Sequence, residues 1–455
     1  MKKVIKRIII AAAALVIVIA ALATTAYWLY TTNYGTLSIP SWMRPTHESK
    51  PDVKDYHSYL SFEEPENSLL PRIDISMDED YLLSRTEYTN CFVQISNADE
   101  YNLESEKARI RIRGNSTQFA DKKPYKICFF EETSLFGGGK ERNWVLLANV
   151  NDTTGIHNYV SMELARYLMA DGTFVPMVQF VNLYINGEYQ GVYNLCDQVE
   201  PGDKRVPISK EIQATPEETD YLIVNDKYAY YDDNVENKGW SWFWLDKAIA
   251  AIEVKSPDTD DIYYSEEYTD YIKKRLEEIY DIILSKDWEA ICEAVDVDSV
   301  INGFLVSIIA DNADIAFKSV YFYLPAEGRL TYGPVWDMDL TFGAGTSKGY
   351  RDVFREKSDH NVFWKQLMRV DEFRDRFVRR YQEVYPELEG VLNGIIDEAV
   401  DRGGKDLAVE FENRFDWGRY GVQEYKDVQT YEESIAHMKK WIHERLDYLY
   451  ALYCE

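Results

Sequence analysis

The hydrophobic period changes along this chain, and that change limits the folds open to it. Between Leu70 and Phe130 apolar and polar residues alternate. Arg72-Ile73-Asp74-Ile75-Ser76, Cys91-Phe92-Val93-Gln94-Ile95 and Ala108-Arg109-Ile110-Arg111-Ile112-Arg113 each place every second side chain on one face, as half-buried strands do. Two further apolar runs, residues 180–185 and 188–195, flank Asn186-Gly187, the pair favoured in a two-residue hairpin turn. One helix is expected near residues 156–169, with Val160, Leu164, Ala165 and Leu168 at helical spacing. From Tyr263 onward that spacing dominates, through Leu276, Ile279 and Ile283 to Trp441, Ile442, Leu446 and Leu449. The pattern predicts an α+β fold with a β-rich first region and a helical last region. It divides into an N-terminal segment (1–30), a proline-containing linker (31–68), the β-rich region (69–200), an irregular acidic and aromatic hinge or insertion (201–262) and the helical region (263–455).

A single stretch of the helical region reads instead as a hairpin. Residues 319–324 are β-branched and aromatic, Ala326-Glu327-Gly328-Arg329 turns the chain, and residues 329–336 return. Antiparallel pairing brings Asp314, just before the first strand, to the same open end as Asp337, just after the second. Asp339 lies two residues further on. Carboxylates gathered at one point suit a hard divalent cation such as Mg²⁺, which takes one or two of them together with phosphate and water oxygens. Asp is also a common turn former, so spacing alone admits a structural role.

In the β-rich region, Arg113-Gly114 leads into Asn115-Ser116-Thr117, and a strand follows that carries Lys126. A small-residue loop can present N–H and hydroxyl groups to phosphate oxygens while a strand lysine adds a point charge. The same three residues form an N-glycosylation sequon, which is the competing reading.

Three blocks resemble one family. They are Arg111-Ile112-Arg113-Gly114-Asn115-Ser116-Thr117 with Lys123-Pro124-Tyr125-Lys126-Ile127, residues 186–195 (NGEYQGVYNL), and residues 334–343 (PVWDMDLTFG) preceded by Asp314. They are similar to the CotH kinase family, the spore-coat protein H-like atypical secreted kinases, and the similarity spans roughly residues 70–450. The resemblance implies a two-lobed atypical protein-kinase-like fold with ATP and Mg²⁺ or Mn²⁺ in the cleft. Asp314 would be the catalytic base or hydroxyl-orienting residue, Asp337 the metal ligand and Asp339 a second one. Lys126 and Arg113 would contact phosphates beneath a lid of Asn115, Ser116 and Thr117. Glu163 on the helix would pair with Lys126, as in kinases; a solvated helix glutamate is the alternative. Ser319 stands where a kinase catalytic loop carries a metal-binding Asn, leaving Asn312 or Asp311 to replace it. That departure keeps open a pseudokinase, an envelope scaffold or an adhesin-like binding protein.

The remaining features concern location and partners. Lys2, Lys3, Lys6 and Arg7 precede an apolar run over residues 8–29, about 22 residues or ~33 Å as a helix. This predicts a single-pass membrane anchor with the N-terminus inside and the domain outside. Ala21-Leu22-Ala23 resembles a signal-cleavage site, so secretion after cleavage is the alternative. A formal net charge of −28 disfavours nucleic acid and suits a basic partner, or equally serves solubility. With the family resemblance, the expected partner is an extracytoplasmic protein substrate, basic or Ser-rich. Five cysteines without paired spacing and six histidines point to neither a disulfide framework nor a zinc site.

Overall fold

The structure is a computed structural model that describes residues 54–55, 62–78, 81–114, 117–226, 241–248, 250–312, 314–315, 318–344, 349–351, 363–415 and 427–455. The apolar run at 8–29, and with it the expected anchor, lies outside the described residues, as do Asn115 and Ser116. Among the described residues no helix is long and apolar enough to cross a membrane.

The alternating segments close into a barrel. Its strands are β2 (Arg72–Ser76), β4 (Thr89–Ser96), β5 (Leu103–Ile112), β6 (Tyr125–Thr133), β7 (Glu141–Leu147), β8 (Val178–Ile185) and β9 (Glu188–Asp197). They run in the order β2-β4-β5-β6-β7-β9-β8, and parallel pairing of β2 with β8 closes the ring. Short β1 (Lys54–Asp55) and β3 (Leu83–Ser84) pair separately. Ile73, Ile75, Val93, Ile95, Ile110, Ile127 and Leu183 fill the interior. At the β8–β9 turn Asn186 and Gly187 have φ of 49° and 83°, the left-handed pair that a type I′ turn requires.

β7, β8 and β9 lack clean alternation because both of their faces are covered. Trp144 and Leu146 point into the barrel, whereas Val145, Phe180 and Val192 join the second core outside it. That outer face receives α1 (His157–Leu168), whose Val160, Leu164 and Leu168 are buried as the helical spacing predicts.

The segment expected to be an irregular hinge or insertion supplies three strands: β10 (Tyr221–Asn225), β11 (Trp242–Leu245) and β12 (Ala250–Ser256). With the hairpin β13 (Val320–Leu324) and β14 (Thr331–Tyr332) they form a five-stranded antiparallel sheet, β11-β12-β10-β13-β14. β10 is buried at every position and therefore shows no period. The return strand is shorter than expected. Its register with β13 covers Thr331 and Tyr332, and the last bond to that strand is Gly333 N donating to Tyr321 O at 3.0 Å.

Around this sheet pack α2 (Glu266–Ser285), α3 (Trp288–Ala294), α4 (Val297–Ala310), α5 (Trp364–Leu367), α6 (Asp371–Phe415, broken at Gly404) and α7 (Tyr431–Cys454). One apolar core runs from the outer barrel face through α1 and α4 to α6 and α7. Polar ties cross the same boundary. Lys122 Nζ donates to Glu410 Oε1 at 2.5 Å, with side-chain exposures of 1% and 3%, and Asn182 Nδ2 donates to Asp406 Oδ1 at 2.8 Å.

Candidate active site

A cleft of about 950 Å³ lies between the outer barrel wall and the five-stranded sheet. The barrel side contributes Arg111, Arg113, Gly114, Thr117 and Lys126; the sheet side contributes Asp314, Lys318, Ser319, Asp337 and Asp339. The register explains the barrel side. β6 turns Tyr125 and Ile127 inward, so Lys126 faces out, opposite Arg111 of β5. Burial pushes the Lys126 ammonium down to about 8, partly offset by the Glu200 carboxylate. Arg113 is also pushed down by burial, with Asp337 opposing that effect, and its guanidinium lies 5.6 Å from the Trp336 ring centre. Gly114 has a φ of +94°, and a Cβ there would sit 2.1 Å from Thr117 Oγ1. The chain thus needs glycine at this point, for both its backbone and its closeness to Thr117.

The hairpin gathers the three aspartates. α4 ends at Asp311 in a left-handed cap (φ 53°), and Asn312 Oδ1 accepts the Asp314 N–H at 2.9 Å. Lys318 Nζ donates to Asp314 Oδ1 at 2.7 Å, which fixes that carboxylate. Ser319 and Asp337 are both left-handed, with φ of 53° and 62°. Their side chains meet: Ser319 Oγ donates to Asp337 Oδ2 at 2.9 Å. Non-glycine residues held in this region cluster where surrounding structure imposes a conformation for function.

Burial raises the Asp337 carboxyl above its usual range and Asp314 raises it further, while Ser319, Arg113 and Lys318 oppose the shift. Asp339 is pushed up to about 7 by burial and by Asp337. Part of that rise is offset by Asn151, whose Nδ2 donates to Asp339 Oδ2 at 2.9 Å. Neighbouring carboxylates that resist joint ionisation make a site that a cation would relieve. Among the described residues no group of three or more His, Cys, Asp or Glu side chains is arranged to hold a metal ion. Asp337 and Asp339 offer two carboxylates, the number that Mg²⁺ commonly takes beside phosphate and water oxygens.

Two expectations are corrected. Glu163 does not pair with Lys126; it bonds Arg166 on its own helix at 2.5 Å and does not line the cleft. The acid facing Lys126 is Glu200, just after β9, held by Arg205 and by Asn143 Nδ2 at 2.9 Å. Nor does Asn312 or Asp311 replace the missing kinase Asn. Asn312 Nδ2 contacts Met338 Sδ at 3.0 Å, and Asp311 is buried 3.6 Å from Arg445. Sequence reasoning missed Asn151 and Glu200. Both sit on connections whose spatial neighbours have no local signature.

The chain matches the family model described as CotH kinase protein over residues 110–449. It belongs to the CotH kinase family. The CotH match begins within β5 and ends within α7, so it includes every cleft residue named above. Membership makes the chain a kinase at family level, and a kinase uses ATP. No curated protein matches the chain.

Proposed function

We propose that this chain is an atypical, two-lobed kinase that transfers the γ-phosphate of ATP to a hydroxyl of an extracytoplasmic protein. The observation that carries this reading is the opposition across one cleft of Arg113, Thr117 and Lys126 with Asp314, Asp337 and Asp339. Lys126 and Arg113 hold phosphate oxygens, with Gly114 and Thr117 closing over them. Asp337 and Asp339 are the residues that would hold Mg²⁺ or Mn²⁺. Such a cation, when bound, neutralises charge on the phosphates as the transfer proceeds. Asp314, fixed by Lys318, orients the acceptor hydroxyl and takes its proton. The oxygen forms its bond to the γ-phosphorus as the bond to ADP breaks, and the electron pair leaves with ADP.

The basic flank and apolar run at the N-terminus support a membrane-tethered domain outside the cell, with cleavage and secretion as the alternative. The net charge of −28 supports a basic acceptor rather than nucleic acid. A catalytically weak scaffold is the second reading, favoured by Ser319 in the place of the kinase Asn. The test is phosphotransfer from γ-labelled ATP by the full-length protein with Mg²⁺ or Mn²⁺, with Asp337→Asn alongside. Label transfer abolished by the substitution supports the kinase reading. A wild-type protein that binds no nucleotide with either metal overturns it in favour of the scaffold.

A further inference from the structure

In the sequence, the helix after β7 promised a glutamate for the phosphate lysine. In the structure that helix acts on the opposite wall of the cleft. Glu163 points away to Arg166, and the first turn of α1 grips the backbone that carries the aspartates. Met338 N donates to Asn158 Oδ1 at 3.0 Å, and His157 Nδ1 lies 3.2 Å from the Asp339 carbonyl. Asn158 is 2% exposed and is itself held in line: its Nδ2 donates to Asn149 Oδ1 at 2.9 Å. Asn149 Nδ2 in turn donates to Asn194 Oδ1 at 2.5 Å.

The polarity of this relay is fixed from one end. A main-chain N–H can only donate, so Asn158 must present its oxygen to Met338 and its amino group to Asn149. Asn149 must then present oxygen to Asn158 and its amino group to Asn194. The captured N–H belongs to the peptide that follows Asp337, whose φ of 62° is unfavourable for a residue with a Cβ. Ser319 holds the side chain of Asp337, and Asn158 holds the peptide on its C-terminal side.

We propose that Asn158 is a positioning residue for the metal site: by accepting the Met338 N–H it keeps Asp337 in the left-handed conformation that holds its carboxylate against Ser319 in the cleft. This rests on the reading of Asp337 as the metal-holding carboxylate. The brace exists before any ligand arrives, and it ties α1 to the metal half of the site rather than to the lysine half.

The test uses the full-length chain and two readouts that do not require turnover. The first is amide hydrogen exchange of wild-type protein in EDTA, where the Met338 amide should exchange slowly. Fast exchange there overturns the proposal without any variant. The second is Mn²⁺ uptake with ADP, followed by the EPR signal of free Mn²⁺. Removing an outer partner of a metal ligand typically weakens metal affinity by about 10–100-fold, so Asn158→Ala should raise the Mn²⁺ midpoint about 10-fold. Asn149→Ala removes an amide from the same relay but leaves the acceptor for Met338. It should lower Tm as Asn158→Ala does, with a midpoint within about twofold of wild type. Equal midpoint shifts in the two variants, or none in Asn158→Ala, reduce Asn158 to a structural role and overturn the proposal. A wild-type protein that takes up no Mn²⁺ overturns the metal reading itself, and this role with it.

Discussion

Asp339→Asn should make the metal-free protein more stable, and only at neutral to alkaline pH. The wild-type carboxyl titrates near 3.8 in an unfolded chain and is pushed up to about 7 in the cleft. An acid with a raised native pKa holds its proton more tightly when folded, so stability falls as pH rises from about 4 to about 7 and the loss is complete above that. A shift of about three units at about 1.4 kcal/mol each sets a ceiling of about 4 kcal/mol. The carboxylate borders an open cleft, so solvent screening reduces this to about 2 kcal/mol. For a chain of this size that corresponds to about 2–4 °C in Tm. Asparagine keeps the shape and can still accept the Asn151 amide. Thermal unfolding in EDTA should therefore place Asp339→Asn about 2–4 °C above wild type at pH 8 and level with it at pH 4. Excess Mg²⁺ should raise wild type and not the variant. A variant that melts below wild type at pH 8 in EDTA, or by the same margin at both pH values, would refute the reasoning.

Asp314→Asn should still bind Mg-ATP while turnover falls by about 10²–10⁴-fold, the usual loss for a general base; equilibrium nucleotide binding beside steady-state phosphotransfer checks it. Lys126 is charged below about 8 and loses its charge above, so nucleotide affinity should weaken between pH 7 and 9.5. Lys126→Met should lower the affinity at pH 7 and flatten that profile, and an unchanged profile would remove Lys126 from the phosphate contacts. Lys122→Met takes the cation from the buried Glu410 carboxylate while leaving it the Val192 N–H at 3.0 Å, which should cost about 3–5 kcal/mol in denaturant unfolding.

Legibility followed locality. The alternating strands, the Asn186-Gly187 hairpin and α1 were readable because their signals lie within a few residues of each other. So was the meeting of Asp314 with Asp337, since an antiparallel hairpin brings its two ends together wherever the turn falls. Closure of the barrel was not readable: β2 and β8 are far apart in sequence and pair in parallel, and nothing in either segment names the other. β10 and β12 were hidden by burial on both faces. The Glu163 expectation failed for a related reason. Helical period shows which face of α1 is buried, but not what stands opposite an exposed position. Asn151, Asn158 and Glu200 reach their partners only in three dimensions.

The Lys122–Glu410 and Asn182–Asp406 ties bear on how a nucleotide gets in and out. Both sit where α6 meets the barrel, beside the shared apolar core. Swinging the barrel away like a jaw would uncover two carboxylates at once and tear a continuous apolar seam. Opening the cleft by a hinge at this boundary would therefore carry the cost of exposing buried charge. The seam between α6 and the barrel thus favours one fixed pairing of the two halves.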